Sequence, residues 1–217
     1  MVATDNCFVL HRFPVGELSL LAKCYCYHFG RRDFLIPDYF DPERKDSILG
    51  FFEPFNLLKV DFEEKNGAPI VLDASFQRFV TPKVVGNLER FYYLSKVALT
   101  VLKFVKDPDR EIFKLLVTSL EINSFFEFNL IRFWLNLATI LGFSIENLNY
   151  PGWVNLLTLK KCNPNEIKNP YCIYISPREF STIKRIMDSN TKPFSVPAKI
   201  FRQLENLFFK FFAYQNG

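Results

Sequence analysis

The sequence predicts an α+β protein in two parts, a small five-stranded β-barrel followed by a helical block. Three observations carry this. Hydrophobicity alternates with period two up to about residue 80, it recurs at three- and four-residue spacing beyond, and a proline-marked stretch, 144–175, interrupts the second pattern. A chain of 217 residues that is 49% hydrophobic can bury a sizeable core in one large or two small domains. With 26 phenylalanines and only 8 glycines, large rigid rings fill that core and tight glycine loops are few.

Strands are expected near residues 7–13, 18–28, 32–39, 52–64 and 69–76. In Leu20 to Tyr27 one face carries Leu20, Ala22, Cys24 and Cys26, and the other carries Lys23, Tyr25 and Tyr27, a core face and a wetter face. Leu58, Val60 and Phe62 alternate with Lys59, Asp61 and Glu63. Asn66-Gly67 then supplies a strong hairpin signal before the last strand. Five strands in some eighty residues suit a small closed barrel such as the OB-fold, so residues 1–80 are read as an OB-fold domain.

Residues 81–217 read as a helical domain. Thr81-Pro82 and Asp107-Pro108 are helix-start devices, the second ahead of Ile112, Leu115, Leu116 and Leu120. Ser124-Phe125-Phe126-Glu127 and Ser176-Pro177-Arg178-Glu179 have the capping-box pattern. A last helix is expected from about Pro197, with the stripe Phe201, Leu204, Phe208 and Phe211. Pro151, Gly152, Pro164 and Pro170 make 144–175 an irregular insertion or a short hairpin.

Composition narrows the function classes. A formal charge of +4 permits some affinity for phosphate without establishing it. Five cysteines, an odd count with no CxxC pair, fit free thiols in a reducing cytosol, with Cys24 and Cys26 as small buried hydrophobes. Asp5, His11 and Arg12 interrupt any apolar leader. The run Phe125–Phe143 carries Glu127 and Arg132, so it reads as a buried helix and not a membrane span. His11 and His28 are the only histidines, and neither HExxH, GxSxG, GxxxxGK nor GxGxxG occurs. Both histidines fall on strands, where a structural role is commoner than a catalytic one. Glu63-Glu64 is explained as solvated charge beside a hairpin. No set of nucleophile, base and orienting group stands out, so the chain is expected not to be an enzyme.

The segment Phe8 to Leu21, containing Leu10-His11 and Gly16-Glu17-Leu18-Ser19-Leu20, resembles the opening of RecO proteins, bacterial recombination mediators. His28-Phe29-Gly30-Arg31 is similar to that family's Gly-Arg turn, and Gly50 to Leu58 to its Gly-x-x-Gln-Pro-Phe segment. Arg132-Phe133 through Leu141-Gly142-Phe143 resembles its Arg-Phe helix, and Ile175-Ser176-Pro177 and the final helix follow in the family's order. The resemblance implies an N-terminal OB-fold and a C-terminal helical domain. It implies a non-enzymatic mediator that binds and anneals single- and double-stranded DNA. The expected partners are RecR and the acidic C-terminal tail of single-stranded DNA-binding protein (SSB), with RecA loading as the indirect outcome. The expected location is the bacterial cytoplasm, at the nucleoid.

Carried onto this chain, the resemblance makes Lys23, Arg31, Arg32, Arg44 and Lys45 candidate phosphate contacts and Tyr25 and Tyr27 candidate stacking surfaces. The alternative is that these tyrosines are half-buried strand residues and the charges are solvated. Arg132, with Phe128 beside it, is the candidate for the SSB tail, since a guanidinium grips a terminal carboxylate with two parallel bonds. Arg132 could equally pair with Glu127 or Asp109 as a fold contact. The chain departs from the family in two places. Acidic and apolar residues fill Asp33 to Glu43 where a basic stretch is usual, so a second reading is an adaptor of the same pathway without direct DNA binding. The family's four-cysteine zinc module would place its first pair near Tyr150 and Trp153, which are not thiolate ligands, and Cys162 and Cys172 alone cannot complete a tetrahedral site. No zinc or other cofactor is expected, and packing by Tyr150 and Trp153 is expected to hold the insertion.

Overall fold

The computed structural model describes residues 2–41, 50–65, 67–80, 84, 86–143 and 145–215. They fall into two compact units, Met1–Ile122 and Asn123–Gly217. Strands give way to helices after residue 80, but the first unit continues through two helices to Ile122.

In the first unit, β1 (Val2–Val15), β2 (Ser19–Cys26), β3 (Gly30–Ile36), β4 (Leu57–Lys65) and β5 (Ala68–Arg78) close a barrel in the order β1-β2-β3-β5-β4. Strand β1 is long enough to serve two neighbours: Val2–Phe8 pairs with β4 and Cys7–Val15 with β2, both antiparallel. A bulge between Val9 and His11 breaks the register where β1 must bend from one neighbour to the other. The barrel closes through a parallel contact of β3 with β5 at Leu35 and Ile70. Its interior follows the period-two reading, with Leu20, Ala22, Cys24 and Cys26 buried beside Cys7, Val9, Phe34, Leu58, Val60 and Phe62. Rings set the spacing: Phe62 meets Phe34 edge-on at 5.0 Å and Phe29 at 5.4 Å.

The loop into β4 explains the Gly50–Leu58 segment. Asn56 is fully buried, and its amide donates to the carbonyls of Gly50 and Phe51 at 3.1 and 3.0 Å while its Oδ1 accepts from Val80 N–H at 3.0 Å. Backbone bonds Val9 N–H to Asn56 O and Phe55 N–H to Val9 O fix the same loop to β1. One side chain thus bonds three backbone groups.

Helices α1 (Leu88–Phe104) and α2 (Arg110–Ser119) pack on the outside of the barrel against β1. Asn87 caps α1 through Arg90 N–H, and Asp109 caps α2 through Glu111 and Ile112 N–H. The cap of α2 is therefore Asp109, two residues after Asp107-Pro108 was expected to begin the helix. Thr81-Pro82 lies outside the described residues.

The second unit contains α3 (Phe126–Ile140), a two-stranded antiparallel sheet of β6 (Gly152–Asn155) and β7 (Cys172–Ile175), α4 (Pro177–Met187) and α5 (Ala198–Gln215). Its core forms around Trp134, which meets Phe201, Phe208 and Phe209 at centroid distances of 6.2, 5.4 and 5.9 Å. The predicted stripe of α5 is buried throughout: Phe201, Leu204, Phe208 and Phe211. Ser176 and Glu179 form both bonds of a capping box on α4. The same pattern at Ser124 fails. The residue before α3 is Phe125, left-handed at φ 50, and Asn129 donates to the Ser124 and Phe125 carbonyls instead.

The insertion is the hairpin alternative of the sequence reading, with a covalent tie that the reading missed. Cys162 and Cys172 form a disulfide, which corrects the expectation that all five cysteines are free. Trp153 meets Tyr174 across the sheet at 5.7 Å, while the buried Tyr150 hydroxyl has no hydrogen-bond partner among the described residues. Among the described residues no helix is long and apolar enough to cross a membrane.

Candidate binding surfaces

Among the described residues, those expected to contact DNA do not form one basic face. Lys23 on β2 is paired with Asp33 on β3, and Arg32 with Glu64 at 3.4 Å while lying over the Phe29 ring. Cross-strand pairing does this by register: Lys23 sits opposite Asp33 in the β2–β3 ladder. Lys23 and Arg32 are thus each paired with a carboxylate from another strand. Arg44 and Lys45 lie outside the described residues.

Arg31 has a different task. Its guanidinium donates to Leu102 O at 2.6 Å, in the last turn of α1, and its backbone N–H donates to Lys106 O at 2.9 Å. It therefore satisfies an orphan carbonyl at a helix C-terminus. Tyr25, expected on the wetter face, is fully buried beneath the α1–α2 connection. Its hydroxyl donates to Asp107 O and accepts from Asp109 N–H, both at 2.9 Å. It offers no stacking surface. Tyr27 is partly exposed, but Phe113 packs on it edge-on at 5.4 Å and the Arg110 guanidinium lies 5.2 Å from the ring centroid. The Gly-Arg turn and the two tyrosines thus join the barrel to its helices.

Burial is the main cause that pushes the Tyr25 hydroxyl up to about 12, and likewise that of Tyr93. A phenol whose folded pKa lies above its unfolded value of about 10 adds stability that is complete below pH ~10 and is lost as pH rises toward ~12. We expect the melting temperature to fall across that window. Tyr25→Phe should melt lower at pH 7 and lose less on going to pH 12; equal alkaline losses in both proteins would remove Tyr25 as a cause.

Both histidines make local contacts. His11 Nδ1 accepts from Arg12 N–H, and His28 Nδ1 lies 2.9 Å from Asp5. Asp5 was not singled out in the sequence, and an aspartate inside a strand gives no signal of its own. Its buried carboxylate also accepts from the backbone N–H groups of Asn6, His28 and Phe29. Among the described residues no three His, Cys, Asp or Glu side chains gather to hold a metal ion.

The tail-binding candidate is better placed. Arg132, Leu135, Asn136 and Thr139 share one face of α3 by their helical spacing and line a cavity of about 250 Å³. Ile145 and, from the end of α4 onward, Ile186, Met187 and Ser189 complete it. Arg132 is half-buried and, among the described residues, makes no hydrogen bond or ion pair. Of the fold-contact alternatives, pairing with Glu127 is not seen among the described residues, and Asp109 caps α2. A half-buried guanidinium with no protein partner among the described residues is open to an anionic one. Phe128 does not belong to this surface: it is fully buried and packs against Phe194 at 5.2 Å. The cavity is smaller than the roughly 300–1,000 Å³ of small-molecule pockets, a size for one terminal residue. The sequence showed Arg132, but Ile186 and Met187, some fifty residues on, reach it only by folding.

No protein-family model matches the chain. A curated protein of Aquifex aeolicus, described as an uncharacterized protein, is 30% identical over 137 residues. That match spans 62% of this chain and 62% of the relative's length.

Proposed function

We propose that this protein is a non-enzymatic adaptor of recombinational DNA repair, of the RecO type, that captures the acidic, Phe-ending C-terminal tail of single-stranded DNA-binding protein at Arg132. The observation that carries the reading is the unpaired Arg132 guanidinium at a cavity walled by Leu135, Ile145, Ile186 and Met187. A terminal carboxylate supplies the missing anion, and the apolar wall receives the last side chain. The barrel's strand order supports an OB-type reading of the first unit, and the order of the motif segments supports the RecO likeness. That likeness extends the proposal to RecR as a partner, RecA loading as the outcome and the bacterial cytoplasm as the place. Bond making and breaking have no part in it.

A fluorescent peptide ending in acidic residues and Phe tests the reading. Arg132→Ala should weaken binding by roughly 10- to 100-fold, the worth of a charge-assisted contact, and amidating the peptide terminus should do the same. Unchanged affinity in either case would end the proposal for Arg132.

A second observation bears on DNA. Residues 123–217 contain eleven Lys and Arg against six Asp and Glu, while residues 1–122 contain sixteen against seventeen. The basic excess therefore belongs to the helical unit. Its hairpin exposes Trp153, Tyr174, Lys160 and Lys161, an aromatic pair beside two cations of the kind that tracks single strands. On this reading, direct DNA contact lies on the second unit and not on the barrel. Affinity for an oligonucleotide should fall steeply with added salt and drop in a Lys160→Ala/Lys161→Ala variant, with Lys23→Ala much milder. A response flat in salt would end this second reading.

A further inference from the structure

Three thiols in the barrel have no place in tail capture: Cys7 on β1, and Cys24 and Cys26 on β2, all fully buried. Cys7 and Cys26 are register partners in the antiparallel β1–β2 ladder. At the neighbouring pair, Tyr27 N–H donates to Asn6 O at 2.9 Å, which makes Asn6/Tyr27 a hydrogen-bonded pair. The two kinds of pair alternate, so Cys7/Cys26 is the non-hydrogen-bonded kind, with opposed Cα atoms about 4.5 Å apart and side chains drawn together. That spacing lies within the range of about 4.4–6.8 Å that a disulfide spans. The sulfur atoms themselves are 2.6 Å apart, nearer than two unbonded thiols rest. Cys24 is not an equal competitor. It is two residues from Cys26 on one strand, so their Cβ atoms are separated by about 6.6 Å, beyond the roughly 3.5–4.5 Å that a disulfide requires.

We propose that Cys7 and Cys26 are an oxidisable pair, joined into a disulfide across β1 and β2 by hydrogen peroxide, and that the link locks the first hairpin of the barrel. The thiolate of one attacks a peroxide oxygen to give a sulfenic acid and a first water. The thiol of the other then displaces a second water as the S–S bond forms. Both S–H bonds are lost, the sulfurs are oxidised by two electrons together, and the peroxide is reduced to two waters. Burial, reinforced by the Cys26 contact, pushes the Cys7 thiol well above the usual thiol range, so thiolate is scarce while the barrel is closed. The reaction is accordingly slow at neutral pH and faster at alkaline pH or in mild urea, and the finished link is equally shielded from reductant. This goes beyond the adaptor reading and does not depend on it.

The test uses the full chain, reduced, freed of reductant, treated with hydrogen peroxide, then unfolded, alkylated and digested for mass spectrometry. The expected product is a peptide pair linked through Cys7 and Cys26, with Cys24 alkylated. Alkylation of both Cys7 and Cys26 across the time course, or sulfinic acid at either, overturns the proposal. Cys24→Ser should retain the link, and its loss in that variant would overturn the pairing. The linked chain should melt roughly 5–10 °C above the reduced one, since the link closes a loop between residues 19 apart. In Cys7→Ser the gain should shrink to the part that Cys162–Cys172 contributes; a linked chain that melts no higher than that overturns the claim that the pair is already in place. Should Cys7→Ser fail to fold, the cross-link map of the unmutated chain decides alone.

Discussion

Gly30→Ala is expected to lower the melting temperature by on the order of 10 °C, the largest effect of any single methyl group in this chain. Gly30 opens β3 at φ +66, in the left-handed region. A Cβ there would stand 2.6 Å from both Lys106 O and Pro108 N and 2.7 Å from Asp107 C, all backbone atoms of the α1–α2 connection. Backbone cannot turn aside as the end of a side chain can, so either the connection or β3 must move. Left-handed strain and overpacking each cost about 1–3 kcal/mol, together roughly 2–6 kcal/mol. The connection also receives Tyr25 and Arg31, so displacing it loosens three attachments at once. Gly67→Ala is the control: it too has positive φ, but nothing lies within 4 Å, so only the milder backbone strain is felt. Thermal unfolding of both variants checks this, and a Gly30→Ala protein that melts no lower than Gly67→Ala would show that the connection yields freely.

Asp5→Ala is expected to cost about 3–5 kcal/mol in urea unfolding. The carboxylate accepts from Asn6 N–H and His28 N–H at 2.8 Å, from Phe29 N–H at 3.3 Å and from the His28 ring at 2.9 Å. It thereby ties β1 to the turn between β2 and β3. Bonds to a charged acceptor are worth about 1.5–3 kcal/mol each, and a buried amide left unpaired costs about 1–3 kcal/mol. Asp5→Asn, which keeps one acceptor oxygen, should fall between. His28→Ala removes a single bond from a side chain that is 55% exposed and should cost less than about 1 kcal/mol. A loss below 1 kcal/mol for Asp5→Ala would mean that water enters and replaces the carboxylate.

The barrel was legible because long stretches of its strands, such as Leu20–Cys24 and Leu58–Phe62, print their burial directly as alternation. The helices were legible by spacing, and one capping box, Ser176 with Glu179, by its four-residue signature. The same signature misled at Ser124, where the left-handed Phe125 precludes the cap geometry and no local rule foretells it. The candidate DNA face failed for a related reason. Lys23 and Tyr25 were assigned to an outer face correctly as to strand parity, but their partners Asp33 and the Asp107–Asp109 backbone arrive from other elements. The neighbours of Arg132 on α3 follow from helical spacing alone.

The amino-acid sequence by itself determined the order of elements, the inward residues of each strand and the buried stripe of the last helix, because these depend only on a repeat along the chain and on water's exclusion from apolar side chains. Tertiary structure alone decided which charges are neutralised, which tyrosine is covered, that Cys162 meets Cys172 and Cys7 meets Cys26, and that Arg132 is left facing a cavity without an anion. Those outcomes depend on distances between residues far apart in the chain, and such distances exist only once the barrel has closed and the helices have packed.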